Sequence, residues 1–286
     1  MRTWCIWLSC LLVVSAAHAQ EVGPKRGALV IVGGAMKDTA ILERFIELAG
    51  GPKAPIVVIP TAGGGVDYDD FYRGARRWRK FGVENVTVIH TKDRNQADSD
   101  AFVEPIRRAR GVWFPGGRQW RLADSYLGTR TELELQKLLA RGGVIGGTSA
   151  GATILGSYLV RGDSKANTIM MGDHEEGFAF LNNVAIDQHL LARNRQFDLI
   201  PVIEAYPELL GIGIDEDTAI VVQGDRAEVI GQGYVAIYDN RSTVAEGGQF
   251  YLLRPGDEID LATRVPKRLV MSEEPFEELL QSKAWK

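Results

Sequence analysis

Gly142-Gly143-Val144-Ile145-Gly146-Gly147-Thr148-Ser149-Ala150-Gly151-Ala152-Thr153-Ile154-Leu155 is an apolar run that stops in glycines, bends at a serine and resumes in small and apolar residues. The pattern reads as strand, abrupt turn and helix, with Ser149 at the bend. A serine held there has a strained backbone and a hydroxyl lifted clear of the sheet. The first N–H groups of the following helix stay free to meet a developing oxyanion. Gly147, Ala150 and Gly151 suit so tight an elbow, where larger side chains would not fit. The competing reading is that Ser149 only caps the helix, serine being a favoured N-cap.

Outward from the elbow, apolar strands alternate with amphipathic helices. Ala28–Val32, Pro55–Ile59, Val86–His90, Val112–Phe114 and Val144–Gly147 read as buried strands. Thr39–Ala49, Asp69–Phe81, Asp98–Arg108 and Thr131–Arg141 read as the helices between them. Such alternation predicts an α/β fold with a mostly parallel sheet and helices on both faces. Sites in these sheets open at the carboxyl ends of the strands. Gly33-Gly34, Gly63-Gly64-Gly65 and Gly116-Gly117 punctuate three of those ends, so these loops should meet around Ser149. Val184–Asp187, Ala219–Val222, Ala227–Ile230 and Gly233–Tyr238 read as shorter, partly antiparallel strands, with a helix near Phe197–Ala205. No linker divides the chain, which predicts one domain over residues 20–286, with 248–286 a C-terminal extension packed on it as a surface strand and helix or used in an oligomer contact.

The 286 residues are 45% hydrophobic and 24% charged, an ordinary globular composition. Met1-Arg2, an apolar stretch from Trp4 to Ala17 and the Ala17-His18-Ala19 end are the parts of a secretory signal peptide spanning 1–19. A membrane anchor fits less well, because the run is short for a bilayer and lacks a charged stop. The reading therefore predicts an exported protein, periplasmic or extracellular, with no membrane association after cleavage. Cys5 and Cys10 both lie in the leader, so the mature chain has no disulfide, thiolate nucleophile or cysteine-bound metal. The formal charge of −4 becomes one unit more negative once Arg2 is removed, which gives no electrostatic case for nucleic acid. Arg73, Arg76, Arg77, Arg79 and Lys80 alternate with Tyr72, Trp78 and Phe81 as on a solvated helix face.

A serine nucleophile needs a base, and His90, His174 and His189 are the histidines outside the leader. His90 ends a strand and suits a packed role, and His174 sits in the charged turn Gly172–Gly177. His189 follows Val184-Ala185-Ile186 and Asp187-Gln188, at a strand end where sites are built. Glu216, in an acidic cluster after another apolar run, could orient the imidazole. Gly147-Thr148-Ser149-Ala150-Gly151 matches the elbow of α/β-hydrolases, but that fold places its histidine late in the chain, and none follows His189 here.

Phe114-Pro115-Gly116-Gly117-Arg118-Gln119, the Ser149 elbow, Asp187-Gln188-His189 with Arg193 and Arg195, and Gly213-Ile214-Asp215-Glu216 together resemble the cyanophycinases and aspartyl dipeptidases. The resemblance runs from Gly27 to about Asp239. It implies a serine peptidase on a fold like class I glutamine amidotransferases, a flavodoxin-like three-layer sandwich, although a thiol-dependent amidotransferase is excluded by the missing cysteine. It implies Ser149 as nucleophile, His189 as base, Glu216 as its orienting acid and the N–H groups of Gly117 and Ala150 as oxyanion donors, with no cofactor and no metal. It implies β-aspartyl or other isopeptide bonds as substrates, such as the β-Asp-Arg linkages of cyanophycin, or other Asp-containing peptides. Arg193 or Arg195 would take the free α-carboxylate, while Gln119, Asp187 and Gln188 would take a substrate's arginine. Family members are often homodimers. Arg118, where many cyanophycinases carry an acidic residue, and Gln196-Phe197-Asp198 depart from the family pattern, and a cation beside the oxyanion loop would move preference toward acidic or different β-aspartyl substrates. A peptide-binding protein without turnover and an esterase on the same fold are the other readings.

Overall fold

All five residues of β1 (Ala28–Val32) are buried, so this strand needs apolar cover on both faces. In the computed structural model, which describes residues 21–69, 71–241 and 248–268, it has that cover. Ala28, Val30 and Val32 face a cluster built with α1 (Thr39–Ala49) and α2 (Arg73–Lys80). Leu29 and Ile31 face the opposite cluster, which takes in α4 (Asp100–Arg108), α5 (Trp120–Tyr126) and α6 (Arg130–Ala140). A short α3 (Arg94–Ala97) precedes α4.

β1 is bracketed by parallel β5 (Val144–Thr148) and antiparallel β9 (Thr218–Gln223). Beyond β5 lie β4 (Gly111–Phe114), β2 (Ile56–Val58) and β3 (Val86–Val88), all parallel. On the other side, β10 (Arg226–Gly231), β13 (Glu258–Asp260) and β14 (Val265–Lys267) continue the sheet antiparallel. A second sheet runs β12 (Tyr251–Leu253), β11 (Val235–Tyr238), β8 (Leu210–Ile214), β7 (Leu181–Gln188) and β6 (Gly156–Tyr158). Val184, Ile186, Ile212 and Ile214 of this sheet share the α4–α6 core, while its other face packs on α8 (Ile200–Ala205). The α/β class and the first five strands are thus as the alternation predicts; of the later strands expected, Ala219–Val222 and Ala227–Ile230 extend the first sheet antiparallel, while Val184–Asp187 and Gly233–Tyr238 fall in the second.

Local chemistry sets the boundaries. Asp38 caps α1 by accepting from Ala40 N, and Gly50 ends it at φ 103°. The helix expected over Asp98–Arg108 starts at Asp100, because Ser99 caps it by accepting from Phe102 N. The helix expected from Asp69 begins only at Arg73, since the Asp69 carboxylate accepts from Phe71 N in a turn. Trp78 of α2 is buried while Arg73, Arg76, Arg79 and Lys80 are exposed, as a solvated face requires. In the C-terminal extension the described part forms strands that edge both sheets, and 269–286 lie outside the described residues, as does the leader.

Gly146 has a packing reason distinct from the elbow. Phe45, Trp78 and Trp113 form a cluster with ring centroids 5.0–5.2 Å apart. A Cβ on Gly146 would lie 2.5 Å from the Trp113 ring and 2.9 Å from Phe45. Gly146→Val therefore overpacks this cluster and is expected to cost about 1–3 kcal/mol. Urea unfolding followed by tryptophan fluorescence checks it, and an unchanged midpoint would show that the rings can yield.

Candidate active site

The carbonyls of Val32, Gly33 and Gly34, where β1 ends, accept the N–H groups of Ser149, His189 and Asp217 respectively, at 3.0, 3.1 and 2.9 Å. Ser149 arrives on β5, alongside β1 in the first sheet, and His189 at the end of β7 in the second. Glu216 lies on the link from β8 in the second sheet to β9 in the first. The candidate site thus sits where the two sheets join. Only glycine fits the hub: a Cβ on Gly33 would lie 2.2 Å from the carbonyl oxygens of Ile214 and Asp215, and one on Gly34 2.2 Å from the His189 ring.

The elbow itself is as tight as its small residues suggest. Ser149 has φ 56° and ψ −117°, a strained conformation for a residue with a side chain. A Cβ on Gly147 would lie 2.1 Å from the Gly151 carbonyl oxygen, and one on Gly151 1.9 Å from that of Phe114. The helix α7 (Ala150–Thr153) starts directly after the bend, yet the Ser149 side chain does not cap it. Its hydroxyl lies 2.9 Å from His189 Nε2, and His189 Nδ1 lies 2.6 Å from Glu216 Oε1. The carboxylate beside Nδ1 fixes the proton there, which leaves Nε2 as the acceptor of the serine hydroxyl proton. Burial of the imidazole pushes its pKa below the usual histidine value. The Glu216 hydrogen bond and charge oppose this, and the charges of Arg193 and Arg195 add to it. A histidine so tuned is neutral at neutral pH and able to take a proton.

The other histidines are engaged elsewhere. His90 Nδ1 bonds the Thr61 hydroxyl at 2.8 Å, and its ring stands edge-on to Tyr68. His174 has Asp173 on Nδ1 and Asp124 on Nε2, both at 2.8 Å. Partial burial lowers its pKa, but these two carboxylates outweigh that and raise it overall.

The three glycine loops do meet around Ser149. A Cβ on Gly116 would lie 3.2 Å from Ser149 Cβ, which sets the Gly116-Gly117 peptide beside the serine. Gly117, at φ +151°, touches the Ala62 carbonyl before the third loop, and Arg118 N donates to that same carbonyl at 2.8 Å. The N–H of Ala150 opens α7 on the other side of the hydroxyl.

The residues expected to touch substrate divide sharply. Asp187 is fully buried, with Arg161 Nε on Oδ1 at 2.8 Å and Arg161 Nη2 on Oδ2 at 3.0 Å. Arg195 is buried too and donates to both the carbonyl and the side-chain oxygen of Gln188 at 3.0 Å. These three side chains are buried and bond within the protein, where the sequence reading expected substrate contact. Gln119 is also buried and donates to the Val160 carbonyl at 2.9 Å, with Oε1 unpartnered. Arg193 is exposed beside His189. Sequence reasoning missed Arg161, and its signal was a lone charge ending the apolar Tyr158-Leu159-Val160 run.

Comparison with known proteins agrees with this architecture. Residues 29–230 match the model of peptidase family S51. The cyanophycinase of Synechococcus elongatus is 34% identical over 240 residues, covering 80% of this chain and 72% of that protein. The cyanophycinase of Geminocystis herdmanii is 33% identical over 227 residues, covering 76% and 82%. The crystal structure of a peptidase from an acI-B1 Actinobacterium superposes with a TM-score of 0.63 at 26% identity, covering 84% of this chain and 98% of that one. A putative peptidase E from Listeria monocytogenes, 16% identical with a TM-score of 0.52 over 72% of this chain and 99% of its own, shares the fold. The chain belongs to peptidase family S51 and is a serine-type peptidase hydrolase.

Proposed function

We propose that this peptidase hydrolyses β-aspartyl or related isopeptide bonds through Ser149, His189 and Glu216. The observation that carries the reading is the continuous hydrogen-bonded chain from the Ser149 hydroxyl through His189 to Glu216, 2.9 and 2.6 Å long in its two links. His189 Nε2 takes the hydroxyl proton as Ser149 Oγ attacks the carbonyl, and returns it to the leaving amine. Glu216 holds the ring and stabilises the imidazolium. The N–H groups of Gly117 and Ala150 receive the oxyanion, each such donor being worth about 3–4 kcal/mol in the transition state. Water then enters by the same base and resolves the acyl-enzyme.

Substrate choice rests on the family and on one cation. The relatives are cyanophycinases, and Arg193 stands exposed beside His189, where it suits the free α-carboxylate of a β-aspartyl unit. Other Asp-containing dipeptides meet the same requirement and form the second reading. A binding protein without turnover has no use for a strained elbow, which costs about 1–3 kcal/mol. The leader at 1–19 supports an exported enzyme, and detection of a mature N-terminus at Gln20 outside the cytoplasm tests that part.

Ser149→Ala and His189→Ala are each expected to lower turnover of β-aspartyl dipeptides by roughly 10⁴-fold or more while the fold stays intact. Glu216→Gln is expected to approach the roughly 10⁴-fold loss typical of a triad acid turned to an amide. Hydrolysis assays with a fluorophosphonate label check both, and persistent turnover in Ser149→Ala would refute the nucleophile.

The lowered His189 pKa predicts that labelling of Ser149 rises with pH through a midpoint below about 6.5, since the base acts only when neutral. Arg193→Met removes a cation that disfavours the imidazolium, so the midpoint should move up. The rate of fluorophosphonate labelling against pH reads this without any substrate, and an unmoved midpoint contradicts it.

A further inference from the structure

Building on the β-aspartyl reading, we propose that this enzyme favours substrates whose residue beside the aspartyl unit is acidic over those that carry a cation there. Arg118 is the residue that sets the preference. The first ground is Arg161. Its guanidinium grips both oxygens of Asp187 in the two-pronged geometry that a substrate arginine would use, and it binds Asp198 as well. A third nitrogen donates to the Asn167 carbonyl at 3.0 Å. Arg161 is 2% exposed and Asp187 0%, so the chain's own cation fills that place from inside. Displacing it would strand a buried charge, which no exposed substrate contact offsets.

The second ground is that the neighbouring carboxylates Glu216, Asp215 and Asp163 are each oriented by a donor of the chain itself, through one oxygen. Glu216 holds His189, Asp215 accepts the N–H groups of Leu191 and Ala192, and Asp163 accepts those of Lys165 and Ala166. The cations show the reverse. Arg118 follows the Gly116-Gly117 peptide and is half-buried, with Nη2 tied to the Asp163 carbonyl at 2.6 Å and Nε buried without a partner. Among the described residues neither Arg118 nor Arg193 makes an ion pair. A guanidinium anchored at one end to a neutral carbonyl keeps its full charge in a fixed orientation, and a substrate carboxylate is the counter-charge that suits it. Among the described residues, Arg118 and Arg193 are thus two cations without an ion-pair partner, on the segments that bring Gly116 against Ser149 and carry His189.

Hydrolysis of β-aspartyl-glutamate, β-aspartyl-leucine and β-aspartyl-arginine by the purified protein reads the preference. The expected kcat/KM is about tenfold higher for the glutamate than for the arginine substrate, the worth of one charge-assisted hydrogen bond. Added salt should raise KM for the glutamate substrate more than for the leucine substrate, which shares the aspartyl α-carboxylate and its screening but lacks the added side-chain charge. Arg118→Glu should invert the glutamate-to-arginine ratio and Arg118→Gln should bring it near one, with circular dichroism melting to verify folding. A wild-type preference for the arginine substrate overturns the proposal while leaving β-aspartyl hydrolysis standing. An unaltered ratio in folded Arg118→Glu removes Arg118 as the determinant. Cleavage of none of the three, with Ser149 still labelled, overturns the β-aspartyl reading and the proposal together.

Discussion

Three consecutive peptide carbonyls, those of Val32, Gly33 and Gly34, fix the backbones of Ser149, His189 and the residue after Glu216 relative to one another. Each of these hydrogen bonds contributes only about 0.5–1.5 kcal/mol net. Their importance is geometric, because an ångström of misplacement between nucleophile and base matters more than the bond energies do. Residues from two sheets meet at one loop, and that loop has to be glycine because carbonyl oxygens and the imidazole ring crowd it from both sides. Removing the side chains at 33 and 34 is what lets three separate chain segments converge.

The anchors also hold strain. Ser149, His189 and Asp217 all have φ 56°, a region that costs a residue with a side chain about 1–3 kcal/mol. Each is the residue whose N–H a hub carbonyl accepts, so unfavourable torsion and backbone anchor coincide three times. Asp217 returns the contact, since its carboxylate accepts the N–H groups of Lys37 and Asp38 at 2.6 Å and so braces the segment just after the hub. The buried Arg161 and Asp187 pair gives a comparable brace to the second sheet, where neither charge could remain without the other.

Much of this was legible in the sequence because it is written in local pattern. β1 and α1 have the limits that their apolar period predicts, with Asp38 and Gly50 as punctuation. The glycine loops and Ser149 announced a strand-end site. What stayed hidden depends on long-range pairing. Nothing local to Val184–Asp187 says that it joins a second sheet rather than extending the first, and α5 at Trp120–Tyr126 has too short an apolar period to stand out. Asp187, Gln188 and Arg195 looked like a recognition surface because they flank His189 in the chain. Asp187 is instead held by Arg161, more than twenty residues earlier, and Gln188 by Arg195, and only the folded arrangement shows those pairings.

The wall that carries Arg118 and Gln119 is joined to the segment after β6 through the carbonyls of Val160 and Asp163, and to β7 through Arg161. None of those bonds runs through the hub at the end of β1. The support of the Arg118 and Gln119 side chains is therefore separate from the hub that anchors Ser149 and His189. Exchanges along 162–176, which spare Arg161 and its grip on Asp187, can alter the surroundings of Arg118 without touching the carbonyls that anchor Ser149 and His189.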